Sequence, residues 1–416
     1  MNIIQISASD YGGGVETVVR LHHSELVRQN HATHVLVGKK KGTDDGFDQI
    51  PLRPGPKGML RTANWFQRKT GLQNLYSPSF RGIEQSFRFS PDVLHIHSLH
   101  GAESYAELRF AGKLIRRYPA VITLHDYWLM TGHCGYPLDC PGWLKGCGNC
   151  PDLERYPSVP KDGTKFNFRR KRSLFADANV QLIVPSQFLK TEVEKSLILQ
   201  HLPITVVLNP IDHEVFHPGD GRRRRAEFGI EDDAFVIMMI ANNLKNIYKG
   251  IDDGVKALQQ LSDQNVTVVV VGRGADEIAR KVPMKTIGLP YTSDTADLVS
   301  YYQLADLLLM PSRCETFGLV AGESMACGTP VVCFDAGALA EVVGDASTGV
   351  VVPARDPKWM ASEIDRIAAD PERRRQMSAA GINRIRSEFA LPRHSRNVVS
   401  VYEQAMSSLS EVIGLS

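Results

Sequence analysis

Short apolar runs alternate with stretches of helical periodicity along the whole chain. In the first half, apolar runs predict strands at residues 2–7, 34–37, 93–97, 120–124, 180–185 and 204–208. In the second half, they predict strands at residues 234–241, 266–272, 307–310, 331–334 and 349–352. Helical patterns are found at residues 15–29, 103–117, 250–262, 294–304, 319–326, 357–369 and 392–411. Since this alternation is typical of doubly wound sheets, we predict an α/β fold.

The length of the chain and a proline-containing segment without periodicity divide this fold into two domains. The 416 residues exceed what one ordinary hydrophobic core holds. Residues 208–218 contain two prolines and no periodicity, so we interpret them as a linker. The predicted domains are residues 1–207 and residues 208–390, followed by a terminal segment at residues 391–416.

Composition and charge exclude several classes of protein. The formal net charge is only +2, which gives no reason to expect a nucleic-acid partner. No apolar run approaches the roughly 18–20 residues that a membrane span needs, and the first residues read as a strand without a basic leader. We therefore expect a cytoplasmic protein, with association at the inner membrane surface left open.

Two carboxylates, Glu315 and Glu323, stand in the most informative segment of the chain, residues 311–330. A predicted strand leads into a loop that bears Glu315, and a helix is predicted to begin near Phe317 and Gly318. Unpaired N–H groups and the positive dipole end make such a helix start a seat for a diphosphate. Carboxylates accept hydrogen bonds from paired hydroxyl groups, as on sugars and ribose. The pattern indicates a nucleotide sugar, although a capped helix that happens to carry two acids is the alternative.

The whole segment resembles the E-x7-E signature of the retaining GT-B glycosyltransferases of family four, and the match continues through residues 328–332. The resemblance implies two Rossmann-like domains facing a cleft, with acceptor bound by the first and nucleotide sugar by the second. It also implies that the terminal segment packs back on the first domain. Glu315 is expected to contact the donor sugar and Glu323 the ribose. Backbone donors to the diphosphate are expected at Phe317, Gly318, Leu319 and Val320.

A lysine precedes the first helix of the second domain. Lys249, before Gly250, can place a point charge on a diphosphate leaving group. The family usually has an arginine a few residues earlier, but Asn243 takes that position here and remains a candidate donor-binding residue. Lys245 is a candidate for the missing positive charge.

Two further motifs follow predicted strands in the first domain. A glycine run that includes Gly13 and Gly14 opens the first helix, where backbone can approach acceptor or donor phosphate; a plain tight turn is the alternative. His125 and Asp126 follow the strand at 120–124 and resemble the family's HD motif. The resemblance places His125 near the anomeric carbon of the donor, whereas a packed structural imidazole is the alternative. Asp126 is expected to orient the loop.

Four of the seven cysteines fall within residues 133–152, just after this motif. The spacing and the expected compartment favour a structural zinc site over reduced thiols or disulfides. A similar insert is found in some bacterial exopolysaccharide glycosyltransferases, which the chain resembles. The predicted ligands are Cys134, Cys140, Cys147 and Cys150.

Two basic runs, residues 169–172 and 222–225, are either solvated helix faces or contact surfaces. The first lies among Phe166, Phe168 and Phe175, a mixture that suits a membrane surface carrying a lipid-linked acceptor.

Taken together, the sequence predicts a retaining hexosyltransferase that uses a GDP- or UDP-sugar and needs no catalytic metal. Its acceptor is expected to be a glycan or a lipid-linked diphosphate oligosaccharide in polysaccharide biosynthesis. Two alternatives stay open: a GT-B nucleotide-sugar 2-epimerase and a non-catalytic protein that binds sugar nucleotides. A nicotinamide dehydrogenase is disfavoured because neither glycine-rich segment has the full G-x-G-x-x-G fingerprint.

Overall fold

The computed structural model describes residues 1–413 apart from residues 57, 102–104, 263–264 and 354. The chain forms two compact units, which are described separately. Unit 1 comprises Met1–Leu208 with His394–Ser416, and unit 2 comprises Asn209–Arg393. Each unit is built on a parallel sheet with helices between its strands, so the predicted α/β class is confirmed.

Unit 1 has a seven-stranded sheet in the order β3-β2-β1-β4-β5-β6-β7. Its strands are β1 (Asn2–Ser9), β2 (Ala32–Lys39), β3 (Phe47–Gln49), β4 (Val93–Ile96), β5 (Ala120–Thr123), β6 (Val180–Val184) and β7 (Ile204–Val206). Its helices are α1 (Gly14–Arg28), α2 (Met59–Thr70), α3 (Pro78–Arg81), α4 (Leu108–Arg117), α5 (Thr164–Phe175) and α6 (Gln187–Glu194). Since β1, β4 and β5 are neighbours, the loops that follow them meet at one edge of the sheet.

Unit 2 has a six-stranded sheet in the order β10-β9-β8-β11-β12-β13. Its strands are β8 (Phe235–Asn243), β9 (Val266–Arg273), β10 (Lys285–Leu289), β11 (Leu307–Met310), β12 (Val331–Phe334) and β13 (Val350–Val352). Its helices are α7 (Arg222–Glu227), α8 (Ile251–Leu258), α9 (Ala275–Ala279), α10 (Thr295–Leu304), α11 (Leu319–Ala326), α12 (Leu339–Val343), α13 (Pro357–Ala368) and α14 (Pro371–Glu388). The last helix, α15 (Leu391–Ile413), begins in unit 2 and continues into unit 1.

The terminal helix α15 contributes to the core of unit 1. Val398, Val401, Tyr402 and Ala405 are buried in one cluster with apolar residues of the strands and of α1. Burial of such side chains stabilises a fold by about 1.5–3 kcal/mol each. The end of the chain is thereby an integral layer of this unit.

One predicted helix starts too early. The helix expected from residue 103 begins at Leu108, and residues 103 and 104 lie outside the described part. Glu107 is extended and buried, and its carboxylate accepts hydrogen bonds from Arg81 and from the backbone N–H of Ser77. This ion pair occupies Glu107 in a tertiary contact just before the helix.

Candidate functional site

Two loops of unit 2 bring Lys249 and Glu315 together. Lys249 follows β8 and Glu315 follows β11, and these strands are neighbours in the sheet. Gly250 has a left-handed φ of 62°, and a Cβ atom there would lie 1.9 Å from the carbonyl oxygen of Pro311. Only glycine permits this close approach of the two loops. The backbone N–H of Arg313 also donates to the carbonyl of Tyr248 over 2.8 Å, which ties the loops further.

Lys249 and Glu315 form a largely buried ion pair. The Nζ atom of Lys249 lies 2.7 Å from Oε1 of Glu315, and the hydroxyl of Ser312 donates to the same oxygen over 2.8 Å. Burial works against the charged ammonium, but the carboxylate outweighs it, and the pKa of Lys249 is raised. The pair therefore presents a fixed positive charge beside a carboxylate whose position is held by two donors.

Helix α11 begins directly after this pair and has no side-chain cap. Its N-cap residue is Gly318, with a φ of 106°, and glycine has no side chain that could cap the first turn. The first N–H groups of a helix have no partner within the helix. Leu319 and Val320, at the start of α11, are the residues whose backbone donors the sequence assigns to a diphosphate. The Phe317 side chain packs edge-on against Phe389, so only its backbone can take part.

Glu323 lies one turn into α11 and is held by a tyrosine. The buried Tyr302 hydroxyl donates to Oε2 of Glu323 over 2.8 Å. Burial raises the pKa of Glu323 to about 7, although this hydrogen bond acts in the opposite direction. Glu323 is consequently poised between its neutral and ionised forms near neutral pH.

Asn243 and Lys245, the other candidates in this unit, are engaged in local contacts. The Oδ1 atom of Asn243 accepts from the backbone N–H of Lys245 over 3.1 Å and so shapes the turn after β8. Lys245 is 65% exposed and its Nζ lies 2.8 Å from Glu277. The structure pairs Lys245 with a surface carboxylate.

In unit 1, the glycine run lies at the start of α1, and a carboxylate of the protein lies beside it. Gly12 has a φ of 113°, and Gly13 is the extended N-cap residue of α1, with Gly14 as its first residue. The Glu16 side chain folds back, so that a Cβ atom on Gly13 would lie 2.7 Å from Glu16 Oε2. Burial raises the pKa of Glu16, against its backbone hydrogen bond and nearby positive charges. The N-terminus of α1, where the sequence suggested a phosphate, therefore has a protein acid beside it.

His125 follows β5 at the same edge of the sheet. Its Nε2 lies 3.3 Å from Nδ1 of His97, and the two rings stack. Burial lowers the pKa of His125 to about 4 despite the neighbouring Asp126 carboxylate, so the ring is neutral at physiological pH.

Asp126 orients the loop, as predicted. Its Oδ1 accepts from the backbone N–H of Trp128 over 2.8 Å, and its Oδ2 lies 2.9 Å from Nε2 of His100. Burial favours the neutral acid, but these partners outweigh it, and the pKa of Asp126 is lowered.

The four clustered cysteines line one small cavity of about 60 Å³ and are all free thiols. Two polar groups reach their sulfur atoms. The backbone N–H of Gly132 donates to Cys147 over 3.2 Å, and Nε2 of His133 lies 3.3 Å from Cys150. Burial raises the pKa of Cys134 to about 12 and that of Cys147 to about 11. In this arrangement the thiols of Cys134 and Cys147 are protonated.

The donor set suits zinc, but its arrangement does not yet form a site. Among the described residues, no three His, Cys, Asp or Glu side chains converge as metal ligands. The backbone of this region is unusual: residues 146–149 all have left-handed φ values, including Cys147 and Asn149 at 54°. Non-glycine residues adopt this conformation at a cost, and it persists only where the surroundings hold it.

The first basic run does not form the continuous surface that the sequence suggested. Lys171 is fully buried, and its Nζ donates to the carbonyls of Trp128 and Thr131. Arg170 donates to the carbonyls of Gln73 and Asn74. Phe168 and Phe175 are buried as well, whereas Phe166 is 62% exposed and Arg169 and Arg172 are exposed.

The second basic run also contains both partly buried, ion-paired arginines and exposed ones. Arg224 pairs with Glu227 and Asp297, and Arg225 pairs with Asp306. Arg222 and Arg223 are almost fully exposed. Within the described part of the chain, no helix is long and apolar enough to cross a membrane.

Several neighbours of the candidate residues were not found from the sequence: Tyr302, Ser312, Glu16, His100 and His133. Ser312 stands three residues before Glu315, and Glu16 in the first turn after the glycine run, so local position gave a signal for both. Tyr302 comes from another helix, 21 residues from Glu323, and only the fold reveals it.

Comparison with known proteins identifies the family of this chain. The family "Glycosyltransferase Family 4" matches residues 12–215, and "Glycosyl transferases group 1" matches residues 220–384. The chain is 26% identical over 373 residues to the putative colanic acid biosynthesis glycosyl transferase WcaC of Escherichia coli K12. That match covers 82% of this chain and 85% of WcaC. This chain is also 30% identical to D-inositol 3-phosphate glycosyltransferase of Frankia alni, in a match that covers 49% of this chain and 54% of that protein.

Solved structures show the same fold at low identity. Sucrose-phosphate synthase from Thermosynechococcus elongatus superposes with a TM-score of 0.72 at 18% identity, covering 98% of this chain and 99% of that one. Anabaena HepE in complex with UDP and glucose gives a TM-score of 0.71 at 18% identity, covering 97% and 100%. These structures show the GT-B fold, and the two family matches, at residues 12–215 and 220–384, show that the chain belongs to the group 1 family of glycosyltransferases.

Proposed function

We propose that this glycosyltransferase takes its sugar from a nucleoside-diphosphate donor bound by unit 2 and transfers it with retention of anomeric configuration. The observation on which this rests is the Lys249–Glu315 pair beside the uncapped N-terminus of α11. A fixed ammonium, a row of backbone N–H groups and a helix dipole are the elements that hold a diphosphate.

In this proposal, Lys249 and the first turn of α11 stabilise the departing nucleoside diphosphate. Glu315 accepts hydrogen bonds from hydroxyl groups of the transferred sugar, and Glu323 accepts them from the ribose. His125 of unit 1 hydrogen-bonds the transferred sugar. A donor phosphate oxygen takes the proton of the acceptor on the face that the leaving group vacates, so the mechanism needs no catalytic metal.

The donor base and the acceptor are further parts of the proposal. Solved structures of Anabaena HepE contain UDP or UDP-glucose, and on this support we propose UDP-sugars before GDP-sugars as donors. The name of WcaC refers to colanic acid biosynthesis, and WaaG, a protein of the same fold, is described as acting in lipopolysaccharide biosynthesis. We therefore propose a glycan or lipid-linked oligosaccharide acceptor in the assembly of a bacterial polysaccharide.

A structural zinc ion in the cysteine segment is a separate proposal. It is supported by four thiols around one cavity and by the left-handed backbone at residues 146–149. One backbone group already donates to a sulfur atom, since the N–H of Gly132 in the facing loop reaches Cys147. Zinc would lower the pKa of the thiols and draw them into a tetrahedral site.

A surface of unit 1 is proposed to contact the membrane that carries a lipid-linked acceptor. Helix α2 has no buried residue, and its Trp65 and Phe66 are 59% and 45% exposed. The end of α2 packs closely on the start of α5, since a Cβ atom on Gly163 would lie 2.5 Å from the carbonyl oxygen of Thr70. The exposed Phe166 and Arg169 of α5 thus extend the same region.

Product analysis with purified protein tests the function. The enzyme is incubated with each nucleotide sugar, with and without acceptor lipid extract, and the products are separated by mass. We expect a glycosylated acceptor and free nucleoside diphosphate. An isomerised or free sugar without acceptor would support the epimerase, and binding without any product a non-catalytic protein.

Variants of the two polar groups test the site itself. Glu315→Ala and His125→Ala are each expected to lower kcat on the order of 10²–10³, the loss typical of one preorganised polar group. Arg222→Gln, at an exposed position of unit 2, serves as the control and is expected to retain activity. Normal turnover in either site variant contradicts the role assigned to that residue.

A further inference from the structure

A continuous run of hydrogen bonds leads to His125 through unit 1. His23 Nδ1 lies 3.3 Å from the hydroxyl of Thr33, and Gln5 Nε2 donates to that hydroxyl over 3.0 Å. Gln5 Oε1 lies 3.0 Å from Nε2 of His97, and His97 Nδ1 lies 3.3 Å from Nε2 of His125. We call these five residues the Gln5 relay.

The outer end of the relay has a fixed direction. A hydrogen bond to the backbone of Asp45 acts to raise the pKa of His23, which is the effect of a carbonyl acceptor. The Nε2 edge of the ring lies against the neighbouring Gly46, where a Cβ atom would approach it within 2.4 Å. Burial nevertheless keeps the pKa of His23 below its usual value, so the ring is neutral. A carbonyl only accepts, so Nε2 carries the single proton of His23 and Nδ1 must accept.

Each following bond is then determined by the one before it. The Thr33 hydroxyl donates to Nδ1 of His23, so its oxygen is left to accept from Gln5. The amide nitrogen of Gln5 therefore faces Thr33, and its oxygen faces His97. That oxygen only accepts, so the proton of the neutral His97 ring is on Nε2.

The inner end of the relay is the ring of His125. Burial holds the pKa of His97 well below its usual range, so its Nδ1 has no proton and can only accept. His125 must consequently donate with Nε2–H. Since His125 is neutral too, its Nδ1 has no proton.

We propose that the Gln5 relay fixes His125 as the Nε2–H tautomer, so that its Nδ1 can act only as a hydrogen-bond acceptor. Gln5, Thr33, His23 and His97 are positioning residues in this arrangement. The role of Nδ1 rests on the proposed function of His125, whereas the tautomer does not.

The tautomer can be measured without substrate. In the full-length protein labelled with ¹⁵N-histidine, the ring nitrogen shifts of His125 distinguish the two neutral forms, and loss of its signals in His125→Gln assigns them. We expect a protonated Nε2 and an unprotonated Nδ1 from pH 6 to 8. A protonated Nδ1, or an even mixture of the two forms, overturns the relay.

Two variants separate tautomer control from simple loss of stability. Thr33→Val removes the hydroxyl that orients Gln5, and we expect a mixed tautomer at His125 and a fall in kcat of up to about tenfold, less than the loss of a whole polar group. Thr33→Ser keeps the hydroxyl and is expected to restore both the wild-type spectrum and turnover within about twofold. Equal effects of valine and serine on the spectrum contradict the relay.

A charge change at Gln5 tests its direction. In Gln5→Glu a carboxylate faces His97, so its imidazolium is stabilised and its Nδ1 becomes a donor to His125. The rings of His95, His22, His394 and His125 also face His97 and oppose this charge. We expect His125 to shift to the Nδ1–H tautomer as the pH is lowered, with kcat falling more than KM rises. No pH-dependent change of tautomer in this variant contradicts the proposal.

The outcomes distinguish the relay from the proposed function. If Thr33→Val changes the tautomer while turnover stays normal, the relay stands and the role of His125 in catalysis is wrong. If no nucleotide sugar is consumed by the wild-type enzyme, the proposed function fails and the ¹⁵N measurement still decides the relay.

Discussion

At the scale of single residues, Glu323 is expected to make nucleotide binding depend on pH near neutrality. Its pKa of about 7 reflects burial, and hydroxyl groups that donate to it favour the ionised form. We expect the affinity for UDP to rise by about tenfold between pH 6 and pH 8 and to level off above, because binding requires loss of the proton. Isothermal titration at several pH values measures this.

The matched variant for this prediction is Glu323→Gln, which cannot titrate. Its affinity for UDP is expected to be lower and to depend on pH only through the phosphates of UDP. The same slope in both proteins would show that Glu323 does not contact the nucleotide.

The sequence predicted single site residues but not which residues pair with them. Glu315, Glu323 and Lys249 stand in local motifs, so each was found as a candidate. Their actual partners could not be predicted, because the Lys249–Glu315 contact joins residues 66 positions apart through adjacent strands. The positions of Gln5 and Thr33 in the relay follow in the same way from strand pairing.

At the scale of secondary-structure elements, apolar periodicity identified the central strands and the edge strands β7 and β13, but it missed β3 and β10. β3 and β10 stand at the ends of their sheets and contain few buried residues. Helix α14 was missed because only Met377, Gly381 and Ile385 are buried along its 18 residues. An element with a narrow apolar face gives a weak periodic signal.

The exposed aromatic helix α2 gives a prediction about lipid surfaces. Trp65→Ser with Phe66→Ser is expected to reduce binding to vesicles of anionic phospholipid by tenfold or more, since each buried aromatic contributes about 1.5–3 kcal/mol. Cosedimentation measures the bound fraction. Because α2 has no buried residue, the variant is expected to keep its thermal stability.

The exposed arginines of α5 are tested in the same vesicle-binding experiment. Arg169→Gln with Arg172→Gln is expected to weaken vesicle binding by about 1 kcal/mol for each charge. Arg222→Gln with Arg223→Gln removes equally exposed charges in unit 2 and serves as the control. Equal vesicle binding by all four proteins contradicts a membrane surface at α2 and α5.

The cysteine segment gives a prediction about metal content. Protein purified without chelator is expected to contain about one zinc ion per chain, as in a closed four-thiolate site. Atomic emission measures the zinc, and Cys147→Ser with Cys150→Ser is expected to lose it. Cys333→Ala, a buried thiol of β12, is the control and should retain it. Zinc-free protein in which the four cysteines of this segment react with a thiol reagent supports reduced cysteines. Zinc-free protein in which they react only after a reductant is added supports disulfides.

At the scale of the whole molecule, one tyrosine connects the end of the chain to the sheet of unit 1. The hydroxyl of Tyr402 in α15 lies 2.8 Å from His22 Nε2 and 2.7 Å from His95 Nδ1. Tyr402→Phe leaves two buried imidazole nitrogens without this partner. We expect a loss of about 1–3 kcal/mol in the free energy of unfolding.

Thermal unfolding measures this loss of stability, and an exposed tyrosine serves as the control. Tyr11 is 39% exposed, so Tyr11→Phe is expected to change stability by less than about 0.5 kcal/mol. If both substitutions shift the unfolding midpoint equally, the buried hydroxyl does not stabilise the packing of α15.

The carboxylate of Glu16 makes the start of helix α1 selective for ligand charge. A phosphate that reaches Gly13 and Gly14 meets like charge unless Glu16 becomes protonated, and the raised pKa of this acid makes that uptake easier. An uncharged hydroxyl meets no such repulsion and can donate to the carboxylate directly. Binding of an anion at this edge of the sheet is therefore coupled to proton uptake from the solvent, whereas binding of a neutral sugar is not.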